Sequence, residues 1–313
     1  MMMTKVIKWT AGTLLVLVLI ALLFGRVPDT QQSEMEAKYG HSPLLRTQVS
    51  GIHYRDEGSE EATVFVLLHG SGSSLHTWEP MVNALKDSFR LVSIDQHGHG
   101  LTGAHPESDY SSKARVRAVL EVLDELNIQS AIWVGNSMGG GVAWRAALMN
   151  PERVSGLVLI DPAGAQTDEP MKPYIGARIA QTWLGQQILP WATPRFLVAS
   201  SLRESVADPD FATDEMIDRY WELLRYPGNR EAMVQTFIQP RESHLWHKLG
   251  TVRTPTLILW GEQDHIIPVS HAEAFAGRIE QSEVIVYPQA GHLPMEEMPQ
   301  EVANDIRAWI MRD

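Results

Sequence analysis

The residues best placed for chemistry are Ser137, Asp264 and His292. Ser137 lies in Gly135-Asn136-Ser137-Met138-Gly139-Gly140-Gly141, after the apolar run Ala131-Ile132-Trp133-Val134 and before a helical stretch from Val142 to Met149. A serine between a buried strand and a helix stands on a tight turn that exposes its hydroxyl above the sheet. Glycines are needed on both sides because side chains there would strike the neighbouring strand or helix. The hydroxyl attacks poorly until a base takes its proton, and that base needs an acid to hold it in one tautomer. The pairing expected downstream is Asp264, in Gly261-Glu262-Gln263-Asp264, and His292, in Pro288-Gln289-Ala290-Gly291-His292. The order nucleophile, acid, histidine is the one such strand-to-helix serines use, and all three residues fall just past the ends of predicted strands. The chemistry is acyl transfer to a serine oxygen.

A Gly-x-Ser-x-Gly pattern by itself arises by chance; the strand before it and the helix after it make it specific. The bland alternative is a glycine-rich turn that only packs helix on strand. Asp161, which follows the run Gly156–Ile160, is the runner-up acid, and Glu262 reads as exposed. His265 neighbours Asp264 in the chain, but adjacent residues seldom point at one spot.

A developing oxyanion needs backbone N–H groups. The residue after the nucleophile, Met138, is expected to supply one and Ser71, in His69-Gly70-Ser71-Gly72-Ser73-Ser74, the other. His69 is expected to orient this loop rather than join the chemistry. The run His97-Gly98-His99-Gly100 offers two histidines without a third ligand nearby, so no metal is expected, and no cofactor.

The elements that must position these residues show in the apolar pattern. Strand-like runs occur at Val49–Arg55, Thr63–Leu68, Arg90–Asp95, Ser130–Val134, Gly156–Ile160, Thr256–Trp260 and Glu283–Tyr287. Several lack polar alternation, as parallel strands covered on both faces do. Between them Val116, Val119, Leu120, Leu123 and Leu126 mark one helix face, as do Val302, Ile306, Trp309 and Ile310. Strands alternating with helices imply an α/β fold with a mostly parallel, doubly wound sheet. The alternation lapses across 164–249, a helical stretch rich in aromatics and methionine (Met171, Tyr174, Trp183, Trp191, Met216, Tyr220, Trp221, Trp246) and read as an inserted cap. Its side chains serve equally as an acyl-pocket lining or as the cap's own core. The expected organisation is a membrane segment at 1–28, a linker at 29–48, sheet core at 49–163 and 250–313, and the cap between.

Formal net charge is −12 over 313 residues, and the first 26 residues hold Lys5, Lys8 and Arg26 with no acid, which leaves −15 for the rest. A surface of that sign repels phosphate backbones, so nucleic acid is not an expected partner. The absence of cysteine excludes disulfides, a thiol nucleophile and thiolate metal sites. From Val6 to Phe24 the chain is apolar after Lys5 apart from Lys8, Thr10 and Thr13, long enough at ~1.5 Å per residue to cross a bilayer as a helix. No small-x-small cleavage site follows. The expectation is an uncleaved anchor with the catalytic domain outside the cytoplasm, the alternative being secretion after signal-peptide cleavage.

Taken together, Tyr54-Arg55-Asp56-Glu57-Gly58, His69-Gly70, Ser74-Leu75-His76-Thr77-Trp78, Gly135–Gly140 and Gly291-His292-Leu293-Pro294-Met295-Glu296-Glu297 resemble the α/β-hydrolase superfamily, and within it bacterial esterases and lipases of lipolytic family V. The resemblance implies a cofactor-free carboxylester hydrolase acting on short- to medium-chain acyl esters, a small-molecule substrate. The nucleophile motif and His69-Gly70-Ser71-Gly72 are also similar to the C–C bond hydrolases of aromatic ring-cleavage products. The loop departs from that group by continuing Ser73-Ser74-Leu75-His76 where Pro-Gly is typical. Perhydrolases share the triad, and a binding protein on a hydrolase fold is the non-enzymatic alternative.

Overall fold

In the computed structural model, which describes residues 27–239 and 242–312, eight strands form one sheet. They are β1 (Leu45–Arg46), β2 (His53–Glu57), β3 (Val64–Leu68), β4 (Arg90–Ile94), β5 (Ala131–Asn136), β6 (Val154–Ile160), β7 (Thr256–Gly261) and β8 (Ser282–Tyr287), in the order β1-β2-β4-β3-β5-β6-β7-β8. Strands β3 to β8 are mutually parallel, and β2 joins β4 and β1 antiparallel. The helices are α1 (Gln32–Tyr39), α2 (Glu79–Leu85), α3 (Ser112–Glu125), α4 (Met138–Met149), α5 (Ile175–Ala180), α6 (Trp183–Ile188), α7 (Arg195–Arg203), α8 (Asp214–Leu224), α9 (Asn229–Ile238), α10 (Ser270–Ala276), α11 (Pro294–Glu297) and α12 (Pro299–Ile310).

The central strands read as unbroken apolar runs because both faces of the sheet are covered. In β3, Val66 and Leu68 pack into a layer with α3, α4 and α10, while Phe65 and Leu67 pack into the opposite layer with α2 and α12. Strand β7 divides the same way, Ile258 and Trp260 to one side and Leu257 and Leu259 to the other. Helix α3 shows how local signals set its ends. The Ser111 hydroxyl accepts the Ala114 N–H, and past the last turn Asn127 takes φ 56°, so that the Ile128 N–H reaches back to the Leu123 carbonyl.

Two expectations shift. The strand read at Val49–Arg55 begins only at His53, because residues 48–50 form a turn that Gly51 closes at φ 67°. Residues 29–48, expected as a linker, instead form α1 and β1 and lie against the cap. Asp29 pairs with Arg230 at 2.5 Å, Lys38 with Glu222 at 2.6 Å, and the Thr30 N–H donates to the Arg225 carbonyl. Those partners lie some 180 to 200 positions away, so local periodicity holds no trace of them. Of the expected membrane segment, 1–28, residues 1–26 lie outside the described residues, while Val27 and Pro28 bond to the cap through the Trp191 carbonyl and the Arg225 guanidinium. Among the described residues no helix is long and apolar enough to cross a membrane.

The cap runs from β6 to β7 as helices α5 to α9, with its own small core of Ala180, Leu189, Leu197 and Val234. Its aromatic and methionine residues divide three ways. Met171, Tyr174 and Tyr220 line a cleft over the sheet, Met216 and Trp246 are core, and Trp183 stands in solvent.

Candidate active site

Strand β5 ends at Asn136 and α4 begins at Met138, which leaves Ser137 alone to turn the chain, at φ 51° and ψ −113°. A non-glycine residue with that backbone is strained by about 1–3 kcal/mol and persists only where its surroundings hold it. Here the Ser137 N–H donates to the Ile160 carbonyl, and its own carbonyl accepts from both Gly141 and Ala163. The glycines make room for this. A Cβ on Gly139 would come within 2.0 Å of the Leu68 carbonyl oxygen, and one on Gly135 within 2.3 Å of the Gly139 backbone.

His292 Nδ1 donates to Asp264 Oδ2 at 2.6 Å in a buried pair, and Asp264 Oδ1 accepts the N–H groups of Ile266 and Ile267. The acid is therefore held from one side by its own loop and orients the imidazole from the other. Ser137 and His292 border the same cleft, and Asn136 Nδ2 donates to the His292 carbonyl at 3.0 Å. The two loops meet closely: a Cβ on Gly261, three residues before the acid, would lie 1.8 Å from the Gly291 carbonyl oxygen.

Asp161 is fully buried at the end of β6, with Oδ1 accepting the Gly261 N–H, and it makes no hydrogen bond to His292. Burial, then the nearby Asp264 charge, hold its pKa well above the ordinary value of 3.8. A raised folded-state pKa costs stability as pH climbs. Above pH ~4 the unfolded chain releases this proton while the folded chain keeps it, so folding grows less favourable up to the folded pKa. Asp161→Asn removes that cost. Its melting temperature relative to the parent is expected to rise as pH climbs above ~4, and a difference independent of pH would show Asp161 to be ionised in the fold.

The loop after β3 brings Ser71 to the cleft that Met138 also borders, and the Met138 N–H opens α4 with no carbonyl one turn earlier in the helix. His69 fixes this loop in one tautomer: Nδ1 donates to the Gly70 carbonyl at 2.8 Å, and Nε2 accepts the Gln96 N–H at 3.1 Å. Burial lowers the pKa of His69, as the accepting nitrogen requires.

Several supporting residues escape a reading of the sequence. The Glu297 carboxylate accepts the N–H groups of Gly291, Leu293 and Ala207, clamping the histidine loop to the cap. The His292 N–H itself donates to Ser205 of the cap at 2.7 Å. Glu296 gathers Thr77, Arg219 and Tyr220, and Tyr220 takes the Ser73 hydroxyl, so the loop after β3 is also tied to the cap. Asn136, Glu296 and Glu297 sit inside the quoted motifs, but their partners come from other elements.

The remaining histidines do not join the site. His265 is exposed. His97 and His99 are buried, and burial lowers both, His97 to about 4. Among the described residues Asp161, Asp264 and His292 form the cluster with potential ligand atoms close together, within 4.8 Å. In it His292 Nδ1 and Asp264 Oδ2 are engaged with each other. The cleft above encloses about 900 Å³ of empty space, and among the described residues no acidic side chain borders it.

A family model for the alpha/beta hydrolase fold matches residues 63–299, and the chain belongs to that family. It is a hydrolase of that fold. It is similar to the uncharacterized hydrolase YugF of Bacillus subtilis, at 28% identity over 86% of this chain and 98% of that one. It is 28% identical to a 2-hydroxy-6-oxo-6-phenylhexa-2,4-dienoate hydrolase of Burkholderia cepacia, over 77% of this chain and 84% of that one. A thermophilic esterase from Thermogutta terrifontis superposes with a TM-score of 0.69 at 27% identity, over 86% of this chain and 97% of that one.

Proposed function

We propose that this hydrolase cleaves carboxylic esters with short- to medium-chain acyl groups through Ser137, His292 and Asp264. The observation that carries the reading is the Asp264–His292 pair at 2.6 Å on the edge of the cleft that Ser137 borders. In the first step Ser137 Oγ bonds to the acyl carbon while His292 takes its proton, and the Asp264 carboxylate stabilises the imidazolium. The Ser71 and Met138 N–H groups receive the oxyanion, a contribution of about 3 kcal/mol each. The imidazolium then protonates the departing alcohol as the C–O bond breaks. Water, activated by His292, attacks the acyl-enzyme and releases the acid and free serine.

A second reading, C–C bond hydrolysis, is favoured by the relatives, among which dienoate hydrolases recur at 26–28% identity. The chemistry of the cleft favours the ester. A dienoate brings a carboxylate into a desolvated space, where an unpaired charge is costly, and among the described residues no lysine or arginine borders this cleft. The two separate by rate. A nitrophenyl ester series from acetate to dodecanoate is expected to be turned over at least about 10²-fold faster than a 2-hydroxy-6-oxo-dienoate. A dienoate hydrolysed faster than every ester would replace the ester reading with the C–C reading.

The basic residues Lys5 and Lys8 ahead of the apolar run to Phe24 support a membrane-anchored enzyme with its catalytic domain outside the cytoplasm, or one secreted after cleavage of that segment.

A further inference from the structure

The outer side of the cap is unusually apolar for a surface helix. Trp183 is 75% exposed, Leu184 57% and Phe196 72%, all in one stretch of the chain covering α6 and the start of α7. From Ile179 to Pro194 there is no charged residue, in a protein that is 20% charged. Clustered exposure of large apolar side chains marks a contact surface, and tryptophan beside neutral polar residues such as Gln186 and Gln187 matches the headgroup level of a bilayer.

The path of the chain says what covers this face. The described chain begins at Val27, whose N–H donates to the Trp191 carbonyl at 3.0 Å, on the loop between α6 and α7. The apolar run Val6–Phe24 ends three residues earlier in the sequence. The strap that follows, 27–39, is fastened to the cap by the Arg230–Asp29 and Lys38–Glu222 pairs. A chain held in a membrane up to Phe24 thus surfaces beside the apolar face. Arg195, which opens α7, is paired with Asp214 and Asp218, and the protein is strongly negative overall, so electrostatic attraction to anionic lipid has little source here.

We propose that the outer face of α6 and the start of α7 rests in the headgroup region of a neutral phospholipid bilayer. The residues that follow α6 and the first turn of α7 also support a role in substrate delivery. Leu189, Leu197 and Val198 border a second cavity of about 550 Å³, which shares Ser71, Tyr174 and Tyr220 with the catalytic cleft. An acyl chain leaving the bilayer at this face has only the cap wall between it and the nucleophile. The delivery part rests on the ester reading; the surface itself does not.

The chain has no cysteine, so a single introduced thiol can be labelled cleanly. Full-length Leu184→Cys and, as a control, Val49→Cys, which is 87% exposed, are labelled with nitrobenzoxadiazole in phosphatidylcholine nanodiscs at one chain per disc. The label at 184 is expected to shift blue, resist aqueous iodide and be quenched by headgroup-level nitroxide lipid. The label at 49 is expected to remain iodide-accessible. Equal iodide access at the two positions overturns the proposal. So does shielding without nitroxide quenching, which means the N-terminal segment covers the face, or shielding only at several chains per disc, which means a second copy does. For delivery, Trp183→Asp/Phe196→Asp is expected to leave hydrolysis of soluble nitrophenyl butyrate unchanged and to slow a disc-embedded long-chain ester about tenfold or more. Equal loss on both substrates, or none on the embedded one, overturns delivery. A parent chain that cleaves no ester sinks the ester reading, while the label still decides the surface.

Discussion

Ser137→Ala is expected to lower kcat on a nitrophenyl ester by about 10⁴-fold or more while KM changes little. The substitution removes the oxygen that forms the acyl bond and leaves the cleft, the oxyanion donors and the Asp264–His292 pair in place, so binding survives and chemistry does not. The fold should hold, because the strained turn is fastened through backbone groups: the Ser137 N–H to Ile160 and the Ser137 carbonyl to Gly141 and Ala163. Alanine at φ 51° carries the same strain as serine, and the melting temperature is expected within a few degrees of the parent. Steady-state kinetics with a fluorophosphonate probe make the check. Activity that persists in a rigorously purified variant, or probe labelling that persists without the hydroxyl, would show that another residue is the nucleophile.

Asp264→Asn is expected to cost about 10⁴-fold in kcat as well, by a different route. Asp264 Oδ1 accepts two N–H groups, from Ile266 and Ile267, so the oxygen of an asparagine amide must occupy that position. Its NH₂ group then faces His292 Nδ1 where a carboxylate oxygen stood at 2.6 Å. The imidazole is forced to accept at Nδ1 and to carry its proton on Nε2, the wrong tautomer for taking a proton from serine. Both loop hydrogen bonds survive, so stability should change little. Asp264→Ala, by contrast, strands the two N–H groups in a buried place and should lower the melting temperature, since each unpaired donor costs about 1–3 kcal/mol. Residues that act as a unit are not additive. The double variant Ser137→Ala/Asp264→Asn should be no slower than Ser137→Ala alone, and a further large loss would mean that the acid serves some step besides activating the serine.

Much of the candidate site's geometry was legible because its signals are local. A serine between a buried strand and a helix, with glycines where a side chain would strike Leu68 or Gly139, states its own geometry. The parallel sheet was legible for a similar reason: strands such as β3 and β7, buried on both faces, cannot alternate polar with apolar residues. The ends of α3 follow from Ser111 and Asn127, which act within a turn of their own positions.

What the tertiary structure alone decided are the partnerships across the chain. Asp161 and Asp264 are both acids just past strand ends, and only the packing of three loops puts Asp264 against His292 and leaves Asp161 against the Gly261 N–H. Glu297 became the clamp on the histidine loop because Ala207, 90 positions away, is brought to it by the cap. Residues 29–48 look like a polar linker because their partners lie far along the chain: ion pairs with Glu222 and Arg230, and Met35, Tyr39 and Leu44 packed against Leu101, Leu223 and Tyr226. The division between cleft lining and cap core turned on which way Tyr174, Met216 and Trp183 face, and a helix of mixed aromatics has no period that tells its sides apart. Short-range sterics and hydrogen bonding are written in neighbouring residues; contacts between distant segments exist only once the chain has closed.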